Sequence, residues 1–377
     1  MYGGLPANTA DHSAARTDSR QSGSERLDML RLCDNAYNST LPQDRSKLKI
    51  WSYAGLMLTY KCPASCRFCC YNCCPQNTGL MSVETAVSAW RGLEDLAGPR
   101  ARVHITGGEP FLYFDRLCEI MLHAKNNRLR PAETIETSAA WATDDRTIAQ
   151  RLALLDDLGF DRLKISWDPF HAEFVEKDSV HRLFDNATRI LGPDRVLVRW
   201  QKYLQQPVKS CSDTDGDWPQ TCLSAVNDYP CRFTGRAART IAELFASKTI
   251  ESIASENCAS DFLSAKGIHI DPFGNVFSGL CSGINLGNVN STPLPEMWRR
   301  FDPSTRDFFT ALFHSGPAAF LPQAIDLAYA GPALYADKCH LCTALRDFFF
   351  DNNRYKTIIA PAECYYDNLR TQSEKLL

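Results

Sequence analysis

The sequence predicts an α/β fold: parallel strands alternating with helices to make a partial barrel, followed by a cysteine-rich α+β extension. Three observations predict it. Between residues 50 and 205, five short strand-like runs alternate with helix-like stretches, and repeated βα units imply parallel strands with right-handed crossovers. After residue 205 the alternation gives way to loops, scattered cysteines and one hairpin. Glycine and polar residues gather where the strand-like runs end, which is where a parallel barrel places its ligands.

The elements follow in order. Residues 1 to 48 are rich in Ser, Asp, Arg, Ala and Gly and poor in large apolar residues. They are predicted to be disordered apart from a short helix over 25–33. The barrel is predicted over 49–205. Its strands are expected at 56–60, 103–106, 134–137, 163–166 and 196–200, with helices at 83–96, 117–125, 144–158 and 180–191 between them. Five or six such units make a barrel that need not close. Residues 206–377 form the extension. There, residues 267–271 alternate like a strand, Pro272-Phe273-Gly274-Asn275 supplies a turn, and Val276-Phe277 returns.

Composition narrows the class. A chain of 377 residues is long for one domain, so a large domain with an appendage is expected. A net charge of −3 gives no reason to expect a nucleic acid or an anionic membrane as partner. No run of 18 apolar residues exists and no apolar segment opens the chain, so neither a membrane span nor a secretory signal is expected. Sixteen cysteines in a chain of this size, several at metal-ligand spacing, fit a cytoplasmic protein that binds metal rather than a disulfide scaffold.

Directly after the first strand-like run stands Lys61-Cys62-Pro63-Ala64-Ser65-Cys66-Arg67-Phe68-Cys69. Three thiolates on one tight loop can hold three irons of a four-iron cubane and leave the fourth open. Cys70, Cys73 and Cys74 follow, so Cys66, Cys70 and Cys73 repeat the spacing in a shifted register. Phe68 before the last cysteine favours the first register, since Asn72 occupies that slot in the second. A zinc knuckle is the alternative use of the Cys-x2-Cys pairs. About 40 residues on, residues 102–106 read as a strand running into Gly107-Gly108-Glu109-Pro110. There glycines allow close backbone approach and a carboxylate can accept from an ammonium group.

Together these motifs resemble the radical S-adenosylmethionine (SAM) superfamily. The resemblance implies a partial (βα)6 barrel in which Cys62, Cys66 and Cys69 hold a [4Fe-4S] cluster that cleaves SAM reductively to a 5′-deoxyadenosyl radical. It places Phe68, Thr106, Gly107, Gly108, Glu109 and Pro110 around SAM, with Glu109 on the amino group. By the same resemblance Ser138, Ser166, Asp168 and Arg199, at the ends of the third, fourth and fifth strands, face SAM. Their other reading is as ordinary polar caps. His171 is a candidate acid/base or substrate contact.

In the extension, Cys258, Cys281, Cys339 and Cys342 resemble the twitch form of the SPASM domain over about 256–345, which implies a second [4Fe-4S] cluster. The family's glycine five residues before the second cysteine is replaced by Val276, with Gly274 two positions earlier. A zinc site or buried thiols are the alternatives. The expected function is hydrogen abstraction from a small-molecule or peptide substrate for a net oxidation assisted by the second cluster. An external donor of flavodoxin or ferredoxin type would supply electrons. The alternatives are an epimerase or isomerase with a cysteine hydrogen donor, for which Cys118, Cys211, Cys222 and Cys231 are unassigned, and a non-catalytic zinc protein.

Overall fold

A computed structural model describes residues 31–205, 208, 217–279 and 281–366. The disorder expected over 1–30, most of the helix expected over 25–33 and Cys211 lie outside the described residues. Five parallel strands run as expected: β1 Tyr53–Met57, β2 Arg102–Thr106, β3 Ala132–Thr137, β4 Phe160–Ser166 and β5 Val196–Arg199. Helices α1 Val83–Ala97, α2 Phe114–Asn126, α3 Asp145–Leu158 and α4 Lys177–Leu191 connect them. Local chemistry sets the ends of these helices. Ser82 caps α1 and Asp144 caps α3, each accepting from a backbone N–H of the first turn. Gly159 and Gly192 leave α3 and α4 with φ of +97° and +92°.

The strands join one eight-stranded sheet in the order β5-β4-β3-β2-β1-β6-β7-β8. Strand β6, Gly267–Ile270, pairs parallel with β1, while β7 Asn275–Ser278 and β8 Asn285–Asn288 continue antiparallel. With β5 and β8 at its edges, the sheet is open. The hairpin expected within a separate extension therefore lengthens the barrel sheet itself, across the division expected at residue 205. Sequence pattern could not show this, because strand pairing across 200 residues leaves no local signal.

Two expectations change. Strand β1 starts three residues before the expected 56–60 and ends at Met57. Leu58 and Tyr60 are fully buried in the following loop, which prolonged the apolar run. The disorder expected through residue 48 is corrected for residues 31–48. A helical turn at Ala36–Ser39 packs there. The Asn35 amide donates to the carbonyl of Phe301 at 3.0 Å, and the Asn38 side chain bonds both backbone groups of Leu48. Asn35 ties the segment to the distant chain near Phe301 and Asn38 ties its two ends together, anchoring a stretch whose composition reads as unfoldable.

The sheet's two faces differ. Leu56, Val103, Ile105, Ile135, Leu163 and Ile165 are buried with Trp90, Leu93, Leu117, Ile148, Leu152 and Leu183 of the covering helices. Alternate positions, which point the other way, carry Tyr53, Gly55, His104, Thr106, Glu136, Lys164, Ser166 and His269. Barrel interiors are ordinarily filled by branched apolar side chains; this one is polar. Among the described residues no helix is long and apolar enough to cross a membrane.

Candidate functional site

The polar inner face and the loop after β1 enclose a cavity of about 850 Å³. The thiols of Cys62, Cys66, Cys69, Cys70 and Cys73 all line it. The loop closes on itself: Lys61 and Cys74 form a parallel bridge, and the Cys62 N–H donates to the Cys74 carbonyl at 3.1 Å. Its carbonyls are then held from a distant helix, Arg236–Thr240. The Arg236 guanidinium donates to the carbonyls of Cys66 at 3.0 Å and Cys73 at 2.8 Å, and its backbone N–H to that of Cys69 at 2.9 Å. Thr240 Oγ1 donates to Arg67 O at 2.6 Å, and Ser282 Oγ to Cys70 O. Gly235, at φ +57°, lies so close that a Cβ would stand 2.4 Å from the Cys70 carbonyl oxygen.

The thiols sort into two groups. Burial pushes Cys66 up, and the nearby Cys62 and Cys69 push it further; Cys62 is raised by burial and by Glu109. Cys69 is held down at about 5 by a hydrogen bond from Cys73, against burial and with the help of Arg236. Cys70 instead faces Arg199 and Cys231 besides Cys69, and burial raises it. So Cys69 is held low while Cys62, Cys66, Cys70 and Cys73 are raised. Among the described residues no three His, Cys, Asp or Glu are gathered tightly enough for a single metal ion.

Gly107 and Gly108 line the cavity too, but their first contact is the chain itself. A Cβ on Gly108 would fall 1.9 Å from Lys61 O, and one on Gly107, at φ +126°, 2.6 Å from Thr59 O. The glycines let β2's end press on the root of the cysteine loop. Glu109 is fully buried and turned toward β3. Oε1 accepts from Phe111 N–H at 3.1 Å and Thr137 Oγ1 at 2.9 Å, and Oε2 from Ser138 N–H at 2.8 Å and Oγ at 2.6 Å. Burial raises its carboxyl and these donors oppose the rise. Ser138 and Pro110 line the cavity, whereas Glu109 lies behind them. Thr137, its second side-chain partner, was missed by the sequence.

Phe68, Thr106, Ser166, His171 and Arg199 also line the cavity. Asp168, expected beside Ser166, does not. It is fully buried: Oδ1 accepts from the N–H groups of Phe170 and His171, and Oδ2 meets His171 Nδ1 at 2.5 Å. Asp168 thus orients His171, whose ring meets Phe68 edge-on at 5.5 Å.

The inner face holds a polar cluster that the sequence did not single out. Glu136 accepts from Lys164 Nζ at 2.7 Å and Thr106 Oγ1 at 2.8 Å. Burial alone would raise its carboxyl, but His104 and Lys164 hold it at about 2. Burial holds His104 at about 4, below an unfolded value of about 6.5. The unfolded chain therefore takes up this proton first, so stability is full above about pH 6.5 and declines as pH falls toward 4. We expect urea midpoints to fall across that window, and His104→Phe to flatten the slope. A variant with the wild-type slope would assign it to another group.

Cys258, Cys281, Cys339 and Cys342 come together around a second, small cavity with Arg232, Lys338 and Arg346. Burial is the main cause raising Cys258, Cys281 and Cys339, and neighbouring thiols of the set add to it. Four thiols beside three cations fit an anionic cluster–thiolate unit. Arg232 lines both cavities; it donates to Asp261 at 3.0 Å and lies 3.7 Å from Cys281 Sγ.

Residues 56–191 match the Radical SAM superfamily. YydG of Bacillus subtilis (strain 168), named for peptide biosynthesis, is 26% identical over 141 residues, 35% of this chain and 40% of that protein. The match thus spans well under two thirds of the relative's length. Among solved structures, BtrN in complex with AdoMet and 2-DOIA is 16% identical with a TM-score of 0.43, over 72% of this chain and 90% of that one. SuiB of Streptococcus suis bound to the precursor peptide SuiA is 11% identical with a TM-score of 0.33, over 96% and 84%.

Proposed function

From the premise that residues 56–191 form a radical SAM domain, we propose that this enzyme cleaves SAM and abstracts hydrogen from a peptide or small-molecule substrate for a net oxidation. Cys62, Cys66 and Cys69 hold the catalytic [4Fe-4S] cluster, and Cys258, Cys281, Cys339 and Cys342 the auxiliary one. When bound, the first cluster with SAM supplies a hydrogen-abstracting radical, and the second an electron acceptor. The remaining work falls to the chain. Gly107 and Gly108 keep the wall low beside the cysteine loop. Ser138, Ser166 and Arg199 face SAM, and Phe68 covers the cavity beside His171. Glu109 acts through Ser138 or turns to meet the SAM ammonium group. An external flavodoxin- or ferredoxin-type protein supplies electrons, in a cytoplasmic setting.

The observation that carries this reading is the convergence of the three-cysteine loop, the glycine end of β2 and the ends of β3 to β5 on one cavity. The name of YydG adds weight to a peptide substrate. We expect protein reconstituted without oxygen, given SAM and dithionite, to release 5′-deoxyadenosine, measured by chromatography. Intact SAM would overturn the reading.

Epimerisation is the second reading, and one observation favours it. Cys231 lines the cavity beside Cys70, whereas Cys222 is buried away from it and Cys118 lies on α2. A thiol placed there can return hydrogen to a substrate radical. Solvent deuterium in the product would select this reading; its absence, with substrate hydrogen recovered in 5′-deoxyadenosine, would select oxidation.

A further inference from the structure

Strands β1, β2, β3, β4 and β6 each contribute to the polar layer beneath the strand ends, and its construction goes beyond holding the sheet together. Gly55 is the first sign. A Cβ there would stand 2.3 Å from His269 Cδ2 and 2.6 Å from His104 Cε1, so β1 gives up a side chain to seat two imidazoles. Their rings meet edge-on at 5.5 Å, and Tyr53 stacks on His104 at 4.7 Å. Tyr71, from the cysteine loop, meets His269 at 5.4 Å, so the layer lies against that loop.

The hydrogen-bonding capacity of this layer is only partly used. His104 is 4% exposed and lines the cavity, yet its Nδ1 has no partner. A buried nitrogen without a partner is destabilising, and a ligand group that bonds it recovers that cost. His269 Nδ1 lies 2.8 Å from the Gly279 carbonyl. A carbonyl only accepts, so Nδ1 carries the proton and Nε2 of the neutral ring is left as an acceptor. Lys164 gives Glu136 one of its three N–H donors, and each Glu136 oxygen keeps a lone pair after bonding Lys164 and Thr106. Lys164 and Glu136 cancel in charge. Arg199, whose guanidinium lies over the Trp200 ring at 4.8 Å, stands one inward step higher, in register with Ser166.

We propose that this layer is the substrate-recognition floor, and that it takes an uncharged group bearing both donors and acceptors: the hydroxyls of a polyol or the amides of a peptide. At the floor itself an ionised phosphate or carboxylate would face Glu136 with Lys164 already engaged, and is disfavoured there; the cavity's other cations, Arg199 and Arg232, are not part of this layer. The inference rests on the reading that this cavity takes a substrate for radical chemistry.

The test uses the reconstituted full chain with SAM and saturation-transfer NMR, which detects weak ligands. The probes are myo-inositol, N-acetylglycinamide, glycerol 3-phosphate and acetate. We expect saturation of myo-inositol or N-acetylglycinamide, whichever matches the source, and a loss of at least fivefold in His104→Phe and in the charge-neutral pair Glu136→Gln with Lys164→Met. Cleavage of SAM without substrate should stay near wild type in these variants, which reports an intact cluster site. Preferential saturation of glycerol 3-phosphate or acetate would overturn the proposal, as would equal signals in wild type and variants, or none. Failure of SAM cleavage in the wild type would instead remove the functional reading, a result distinct from any of these.

Discussion

Replacing Cys62, Cys66 and Cys69 together by alanine should remove about 4 of about 8 irons per reconstituted chain and take 5′-deoxyadenosine release to background. The sheet should survive, because the loop lies outside every strand. Iron and acid-labile sulfide analysis, with circular dichroism as the check on folding, reads both effects. Single variants resolve the register. Cys62→Ala should cost the first four irons whereas Cys70→Ala should not, on the register that Phe68 favours. The reverse would establish the shifted register of Cys66, Cys70 and Cys73. A wild type with about 4 irons and a triple variant with none would leave a single cluster. The four cysteines near Arg232 would then be structural or zinc-bound, and epimerisation would stand level with oxidation.

The second large effect is expected at Arg236, far from any motif. Arg236→Met leaves two buried carbonyls, of Cys66 and Cys73, without their guanidinium donors. The Cys66 carbonyl keeps the Cys69 N–H at 3.1 Å, so the Cys73 carbonyl carries most of the loss, about 1–3 kcal/mol from a domain whose stability is typically about 5–15 kcal/mol. We expect a lower unfolding midpoint and loss of the first-site irons, with the second site retained. Arg236→Lys reaches one carbonyl at most and should rescue only part of this. Gly235→Ala should act in the same direction, because its Cβ would meet the Cys70 carbonyl at 2.4 Å and its φ is +57°. Full iron occupancy in Arg236→Met would show that the loop holds its shape without this clamp.

How much the sequence revealed depended on the range of the signal. The βα alternation found all five strands, though it set β1 three residues late, because periodicity and capping residues such as Ser82 and Asp144 are local. The cysteine spacing and the glycine strand end were legible for the same reason. Asp168 was seen but its partner was not: a Ser-x-Asp pattern does not tell whether the carboxylate faces a ligand or turns back on His171. The glycines of 107–108 were marked for close approach to a ligand; the nearest atoms in the structure are the chain's own carbonyls at Thr59 and Lys61.

By itself, then, the amino-acid order determined the strand and helix sequence and the spacing of three thiols on one loop, since each is decided within a few turns of chain. The tertiary structure alone decided that β6 joins β1 and that Arg236 and Ser282 close the cysteine loop from 163 to 212 residues away; the grouping of Cys258, Cys281, Cys339 and Cys342, expected from a family resemblance, is one that spacing by itself did not give. The tertiary structure also decided that His104, His269, Glu136 and Lys164 share one floor. Each of these brings together residues of different elements, and only the pairing of strands and the satisfaction of buried polar groups determine which ones meet.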